Sequence, residues 1–219
     1  MASRPTIRNP SLPCSGNGTI PGPRGTEPLE RLIHATTWAM RLHAGQRRKG
    51  PGNIPYCAHL WAVAAMVAEH GGSEDAIIAA LLHDAVEDQG GHETLERIRS
   101  EFGNAVANHV AALSDTLESP KPPWRERKEN YLRALRAVPP ETRLIAAADK
   151  IHNMRAIIRG LQTEGAALWD HFRGGRGGTL WYYRAVYAVL HDGWNHLILE
   201  EYHQELNRLE TLAAGFADD

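Results

Sequence analysis

The chain has 219 residues, 42% of them hydrophobic, which is enough to bury one sizeable core. Its formal net charge of −2 excludes a strong overall field for nucleic acid or anionic lipid, so a local patch must recognise any anion. Cys14 and Cys57 lie in unrelated contexts and predict no disulfide framework. No apolar run approaches the roughly 20 residues of a membrane span, and no signal-peptide core is present. We therefore expect a soluble cytoplasmic protein that binds neither nucleic acid nor membrane.

Residues 1–27 are rich in Pro, Gly, Ser and Asn and show no hydrophobic period, which predicts a flexible tail. Apolar residues then recur at helical intervals from residue 28, and this pattern predicts a first helix that ends near Gly45. A polar loop, "RRKGPGNIP", follows it. A second helix is predicted for residues 56–70, where two glycines end it.

A third helix is predicted to begin after Ser73, a good N-cap, and to run to about Glu87. The remaining predicted helices cover residues 92–102, 104–115, 124–137, 139–160, 179–191 and 195–213. The glycine-rich segment "RGGRGG" is predicted to be a loop that precedes the last two helices. Convincing alternating strands are absent. The sequence therefore predicts the all-α class, with one bundle of about eight to ten helices over residues 28–214.

Ionisable side chains are concentrated at the end of the third predicted helix, where "HDAVED" contains His83, Asp84, Glu87 and Asp88. On one helix, members of this group three or four positions apart project from neighbouring parts of a surface. His59 and Asp149 are isolated in other apolar segments, where an ionised carboxylate is costly unless it is paired or binds a metal. Taken singly, each residue is more typical of a core histidine or an ion-paired aspartate. Their combination favours a site with imidazole and carboxylate ligands, which suits Mn²⁺, Fe²⁺ or Zn²⁺ better than Ca²⁺.

Four motifs occur in the order in which a known family carries them. They are "HAGQRRKGPGNIPYCAHLWAVA", "AALLHDAVED", "FGNAVANHVAALSDT" and "AAADKIHNMR". This pattern resembles the HD-domain hydrolases. Within them it is most similar to the hydrolase domain of RelA/SpoT proteins and to the stand-alone small alarmone hydrolases, over about residues 29–160. The resemblance implies an all-helical HD domain with one bound Mn²⁺ ion, for which Fe²⁺ or Zn²⁺ are alternatives.

The resemblance also implies roles for individual residues. The metal ligands would be His59, His83, Asp84 and Asp149, and the catalytic pair would be Glu87 and Asp88. Because Glu87 is not needed as a ligand, it is free to hold or deprotonate the attacking water. Asp88 would orient either Glu87 or a second water.

Substrate contacts are expected from a basic loop directly before the "PYCAH" segment. Arg47, Arg48 and Lys49 supply guanidinium and ammonium donors that match phosphate oxygens. By resemblance, Asn153 contacts the nucleotide, and His43 lines the base pocket or packs beside it. The expected partner is therefore a small nucleotide.

Two further groups are predicted to be structural rather than functional. Arg125, Arg127 and Lys128 could touch phosphates, but a solvated helix face is the favoured interpretation. Tyr182 and Tyr183 could stack on a base, but aromatic packing between helices is favoured for them.

Three functional hypotheses follow. The first is a Mn²⁺-dependent hydrolase that removes the 3′-pyrophosphate of ppGpp-like alarmones. The second keeps the site but acts on another nucleotide or a 3′-phosphate, since the aromatic segment after residue 160 departs from a minimal alarmone hydrolase. The third is a non-catalytic alarmone-binding protein, and the presence of Glu87 and Asp88 argues against it. The sequence does not indicate an oligomeric state.

Overall fold

The computed structural model describes residues 27–116 and 120–216. Regular structure in these ranges is entirely helical, which confirms the predicted all-α class. It comprises α1 Glu27–Leu42, α2 Cys57–Glu69, α3 Glu74–Leu82, α4 Ala85–Asp88, α5 Gly91–Phe102, α6 Asn104–Leu113, α7 Trp124–Leu135, α8 Pro140–Glu164, a 3-10 segment Gly165–His171, α9 Gly175–His191 and α10 Ile198–Ala214. The predicted N-terminal tail lies outside the described residues, except that Glu27 begins α1. Within the described ranges, no helix has both the length and the apolar character that crossing a membrane requires.

The third predicted helix is interrupted. Ser73 caps α3 as predicted, because its hydroxyl accepts from the Ala76 amide at 3.2 Å. However, α3 ends at Leu82, and His83 and Asp84 form a turn before the short helix α4. Successive residues of a continuous helix point about 100° apart. The turn at Asp84, with φ −93° and ψ −6°, instead allows both side chains to reach one buried point.

Three glycines in the second half of the chain, Gly160, Gly174 and Gly178, permit close packing of neighbouring elements. The predicted end near Gly160 is too early, since α8 continues to Glu164, and a Cβ on Gly160 would lie 2.6 Å from Leu168 Cδ1. The predicted "RGGRGG" loop is also wrong in part, because α9 begins at Gly175. Cβ atoms on Gly174 and Gly178 would lie 2.7 Å and 3.2 Å from the Trp124 ring. Here the absence of side chains allows α7 to approach α9.

The core is organised around α8, which packs against α2, α3, α6, α9 and α10. The run Ala146–Ala148 is fully buried, and these small side chains let neighbouring helices approach closely. Larger residues of the same helix, including Ile145 and Ile151, are also fully buried. Each such side chain contributes about 1.5–3 kcal/mol by leaving water. This packing holds Asp149 in the interior, beside α2 and the turn after α3.

Candidate functional site

Four polar side chains from three parts of the chain meet inside the bundle. The ligand atoms of His59, His83 and Asp149 all lie within 4.8 Å of one another. Asp149 Oδ1 is 3.1 Å from His59 Nε2 and 3.6 Å from His83 Nε2. Asp84 Oδ2 is 3.1 Å from His83 Nε2 and 3.4 Å from His59 Nε2. Ligands about 2.0–2.2 Å from a shared ion stand roughly 3 Å apart, so this spacing suits one divalent metal ion.

The protonation of these groups also suits a cation. His83 Nδ1 donates to the Ala80 carbonyl at 2.7 Å, so Nε2 is the ring nitrogen that faces the carboxylates. Burial opposes a charge on this ring, but Asp84 and Asp149 raise the pKa of His83 well above its usual range, so a metal ion there would take the place of the Nε2 proton. That Nε2 is buried and forms no hydrogen bond among the described residues. Burial would raise the pKa of Asp84 and Asp149, but the histidines, together with Lys150 beside Asp149, hold both pKa values well below the usual range. Both carboxylates therefore stay ionised, as metal binding requires.

His152, which the sequence interpretation did not assign, touches one of these histidines. Its Nδ1 lies 2.7 Å from His59 Nδ1. Burial lowers the pKa of His152 to about 3, so its ring is neutral and can accept the His59 Nδ1 proton. This bond leaves His59 Nε2 free to face the carboxylates. The sequence did contain one signal for this contact. His152 follows Asp149 by three residues, so the two side chains are neighbours on the surface of one helix.

The two carboxylates are also held from outside the cluster. Tyr56 donates its hydroxyl proton to Asp84 Oδ2 at 2.6 Å. The Asn153 amide donates to Asp149 Oδ1 at 2.5 Å, and its own oxygen accepts from Arg48 at 2.6 Å. Asn153 therefore connects the basic loop to the cluster.

Glu87 lies beside the cluster in a basic environment. Lys121 contacts Glu87 Oε1 at 3.1 Å, and Arg127 lies 3.7 Å from the same oxygen. Burial and the nearby charges of Asp115 and Asp84 raise the pKa of Glu87, against the opposing effect of Lys121 and Lys128. A carboxylate with a raised pKa is a better proton acceptor than an ordinary one.

The predicted solvated face of α7 is wrong for two of its three basic residues. Arg127 is 6% exposed, and Arg127 and Lys128 both pair with Asp115, which follows α6. Because Lys128 and Arg127 outweigh the effect of burial, the pKa of Asp115 is lowered. Of these three residues, Arg125 alone is exposed, and its guanidinium stacks over the Trp181 ring at 3.3 Å.

Replacing Asp115 with asparagine should destabilise the fold, because Arg127 would remain buried without its carboxylate. Loss of one partner of a buried ion pair costs about 3–5 kcal/mol. For a chain of this size, that cost lowers Tm by roughly 6–20 °C. Differential scanning calorimetry at neutral pH measures the change, with Glu129→Gln as a control that breaks an exposed pair with Arg125. An equal, small shift in both variants would contradict the role given to Asp115.

Asp88 is held by a residue of the loop that precedes α2. Its Oδ2 accepts from the Gln46 amide at 2.7 Å. The Gln46 oxygen accepts from His43 Nδ1 at 2.7 Å and from Gln89 at 2.9 Å. Gln46, next to the basic loop, was missed by the sequence interpretation. It holds Asp88 through a chain that begins at His43.

The structure corrects the expectation that His43 could line the base pocket. His43 is 2% exposed, stacks on Tyr56 with ring centroids 5.1 Å apart, and does not line the cavity described below. Of the two roles left open for it, packing agrees with this position, and a direct contact with a base does not. Its neighbours explain the burial, because Tyr56 covers the ring while Gln46 satisfies Nδ1.

A cavity of about 430 Å³ opens over the cluster. Of the expected site residues, those lining it are Arg47, Arg48, Lys49, Asp84, Glu87, Asp88, Asp149 and Asn153. Tyr182 and Tyr183 also line it. Both are 6% exposed, so packing accounts for most of their surface, as predicted. Eight basic and four acidic side chains among the described residues line the cavity, which therefore suits a polyanion.

Comparison with known proteins agrees with this architecture. The model of the family described as HD domain matches residues 35–180, about two thirds of the chain. The guanosine-3′,5′-bis(diphosphate) 3′-pyrophosphohydrolase MESH1 of Homo sapiens is 35% identical over 131 residues, which cover 59% of this chain and 70% of that protein. The bifunctional (p)ppGpp synthase/hydrolase SpoT of Escherichia coli K12 is 34% identical over 135 residues, 59% of this chain and 18% of that protein.

Solved structures give the same result. A metazoan ortholog of SpoT, described as hydrolysing ppGpp, aligns with a TM-score of 0.66 and 25% identity over 83% of this chain and 96% of that one. A protein from Listeria monocytogenes EGD-e aligns with a TM-score of 0.60 and 30% identity over 68% of this chain and 96% of that one. The family match and the identity to MESH1 agree with the shared helical architecture. The chain therefore belongs to the HD-domain family.

Proposed function

We propose that this protein is a metal-dependent (p)ppGpp 3′-pyrophosphohydrolase that releases pyrophosphate from the 3′ position of the alarmone. The observation that carries the proposal is the buried His59, His83 and Asp149 cluster, with Glu87 beside it, in a cavity with an excess of positive charge. The (p)ppGpp hydrolase activity for which MESH1 and the SpoT relative are named supports the same substrate.

The metal proposed for the site is Mn²⁺, bound by His59, His83, Asp84 and Asp149. A mixed nitrogen and oxygen ligand set without thiolates suits Mn²⁺, and Fe²⁺ or Zn²⁺ fit the same donors. A divalent ion there would polarise a phosphoryl oxygen and acidify a water molecule. Metal analysis of protein purified without chelator identifies the native ion.

The protein groups then perform two tasks. Glu87 accepts a proton from the water that attacks the 3′ phosphorus, and Lys121 keeps its carboxylate oriented. Asp88, held by Gln46, is placed to accept a hydrogen bond from a second water or from the substrate. The attack breaks the bond between this phosphorus and the ribose 3′ oxygen, which takes up a proton and leaves as the 3′ hydroxyl. The products from ppGpp are therefore GDP and pyrophosphate.

Substrate binding is assigned to the basic loop and to Asn153. Arg48 is oriented both by Asn153 and by the Tyr56 ring, which lies 5.5 Å from the guanidinium carbon. Arg47 and Lys49 line the cavity beside it. Guanidinium groups bind phosphate or base acceptors with two parallel hydrogen bonds, so a pre-oriented Arg48 can select the nucleotide.

The direct test is incubation of Mn²⁺-loaded protein with ppGpp and, separately, with a nucleotide 3′-monophosphate. Anion-exchange chromatography should detect GDP and pyrophosphate, and kcat/KM should be higher for ppGpp than for the monophosphate. Preference for the monophosphate would replace this proposal with a hydrolase of another nucleotide. Tight binding of ppGpp without turnover would indicate a non-catalytic sensor.

His152 should act as a positioning residue for the proposed metal. Replacing it with leucine removes the acceptor for His59 Nδ1–H, and loss of such an outer contact typically weakens metal affinity by about 10–100-fold. Competition between the protein and a chromogenic chelator for Mn²⁺ measures this loss. His152→Asn can restore an acceptor and should recover part of the affinity. Equal affinity in the leucine variant and the wild type would exclude the role.

A further inference from the structure

The segment after Gly160 forms one wall of the cavity, and none of its residues has yet been given a chemical role. Leu168 of the 3-10 segment lines the cavity, as do Phe172, Arg173 and Gly174 in the turn before α9. Arg173 is exposed, so its guanidinium is accessible to a ligand. The wall therefore combines apolar groups with one cation.

Close packing on both sides fixes the position of this turn. On one side, Leu168 fills the space beside Gly160 and also lies close to the basic loop, since a Cβ on Gly50 would be 3.6 Å from Leu168 Cδ1. On the other side, Gly174 lies against the Trp124 ring. Arg173 is thus carried by a short turn between two packed points, in the wall that meets the loop containing Lys49.

The cations that line the cavity fall into two groups according to their partners. Those near the metal cluster are paired with carboxylates: Lys121 with Glu87, Arg127 and Lys128 with Asp115, and Lys150 with Asp149. Arg48 donates to the Asn153 side chain, and Arg47 donates to the backbone carbonyl of Gln46 at 3.4 Å. By contrast, Lys49 and Arg173 have neither a hydrogen bond nor an ion pair with any described residue. Their charges remain available to a ligand.

A nucleotide with phosphates at both the 3′ and the 5′ positions of its ribose presents two separate anionic groups. One set of donors cannot bind both of them. The proposed metal site, together with the cations around Glu87, binds the 3′ group that is cleaved. Of the two unpaired cations, Lys49 lies on the basic loop and Arg173 on the turn after the 3-10 segment, whose Leu168 lies close to that loop, and both line the same cavity. Cations without carboxylate partners bind phosphate with less competition.

We propose that Arg173 and Lys49 form a second anion subsite that binds the 5′-phosphates of the substrate while its 3′-pyrophosphate lies at the metal cluster. This assignment rests on the proposed function and extends it. It predicts a preference for nucleotides phosphorylated at both the 3′ and 5′ positions, and it gives the C-terminal segment a role in selecting them.

The kinetic test uses ppGpp and a guanosine 3′-diphosphate that lacks 5′-phosphates. Arg173→Gln should lower kcat/KM for ppGpp by about tenfold, which corresponds to about 1.4 kcal/mol, and should leave the second substrate unchanged. Lys49→Gln should lower kcat/KM for ppGpp by a larger factor than for the second substrate, on which a smaller loss is expected because Lys49 also belongs to the basic loop. Arg184→Gln is the matched control, because this exposed arginine of α9 pairs with Glu210 and does not line the cavity. An equal loss on both substrates, or no loss on ppGpp, would overturn the subsite.

A binding measurement separates failure of the subsite from failure of the proposed activity. Isothermal titration calorimetry should compare guanosine 3′,5′-bisphosphate with guanosine 3′-monophosphate, and it requires no turnover. Weaker binding of the bisphosphate alone in Arg173→Gln supports the subsite even if ppGpp is not hydrolysed. Unchanged bisphosphate binding in Arg173→Gln contradicts the subsite even if the wild type hydrolyses ppGpp.

Discussion

Replacing Glu87 with glutamine is expected to reduce ppGpp turnover by about 10²–10⁴-fold, because the amide cannot accept a proton from the attacking water. Metal content should stay at the wild-type level, since Glu87 lies beside the ligand cluster and is not one of its members. Single-turnover kinetics together with elemental analysis measure both properties on the same sample. The control is Glu126→Gln, which makes the same substitution at an exposed residue of α7.

The pH dependence gives an independent test of Glu87. A general base acts only when ionised, so activity should be present above its pKa and fall as the pH drops through that value. Burial and Asp115 raise the pKa of Glu87, and the acidic limb of the rate profile should therefore lie above the range of an ordinary carboxyl group. If Glu87→Gln turns over ppGpp at the wild-type rate, the residue has no part in the mechanism.

Replacing His83 with alanine is expected to abolish both metal binding and activity. His83 is buried, and its Nε2 lies 3.1 Å from Asp84 Oδ2 and 3.6 Å from Asp149 Oδ1, so its loss removes one of the four proposed ligands. Loss of a bound ion also removes its contribution to stability, and added Mn²⁺ should no longer raise the Tm of the variant. Elemental analysis and a thermal shift titration with Mn²⁺ measure the two effects.

His92→Ala is the control, because it removes an exposed imidazole that does not line the cavity. It should keep one ion per chain and the wild-type response to Mn²⁺. A full complement of metal in His83→Ala would mean that the ligand assignment is wrong. Asp149→Asn tests a second proposed ligand in the same way, because the Asp149 carboxylate lies 3.1 Å from His59 Nε2.

Much of the fold could be predicted from sequence because apolar residues recur at helical spacing over most of the described chain. The same periodicity located Asp149 inside an apolar helix, where an unpaired charge is too costly to be accidental. The order of four motifs indicated that His59, His83 and Asp149 belong together, and the structure brings them within 4.8 Å of one another. These features depend on local sequence, so a single chain is enough to predict them.

The tertiary structure alone decided which ionisable groups are buried and what they contact. No helical period distinguishes Arg127, buried against Asp115, from Arg125, which is exposed on Trp181. The contact between His152 and His59, and the close approach of Gly50 in the basic loop to Leu168, join residues more than 90 positions apart. The sequence by itself determined the helical class and the residue types of the proposed metal site. Their partners, and the cations left free for a substrate, depend on how distant helices pack, which local spacing does not encode.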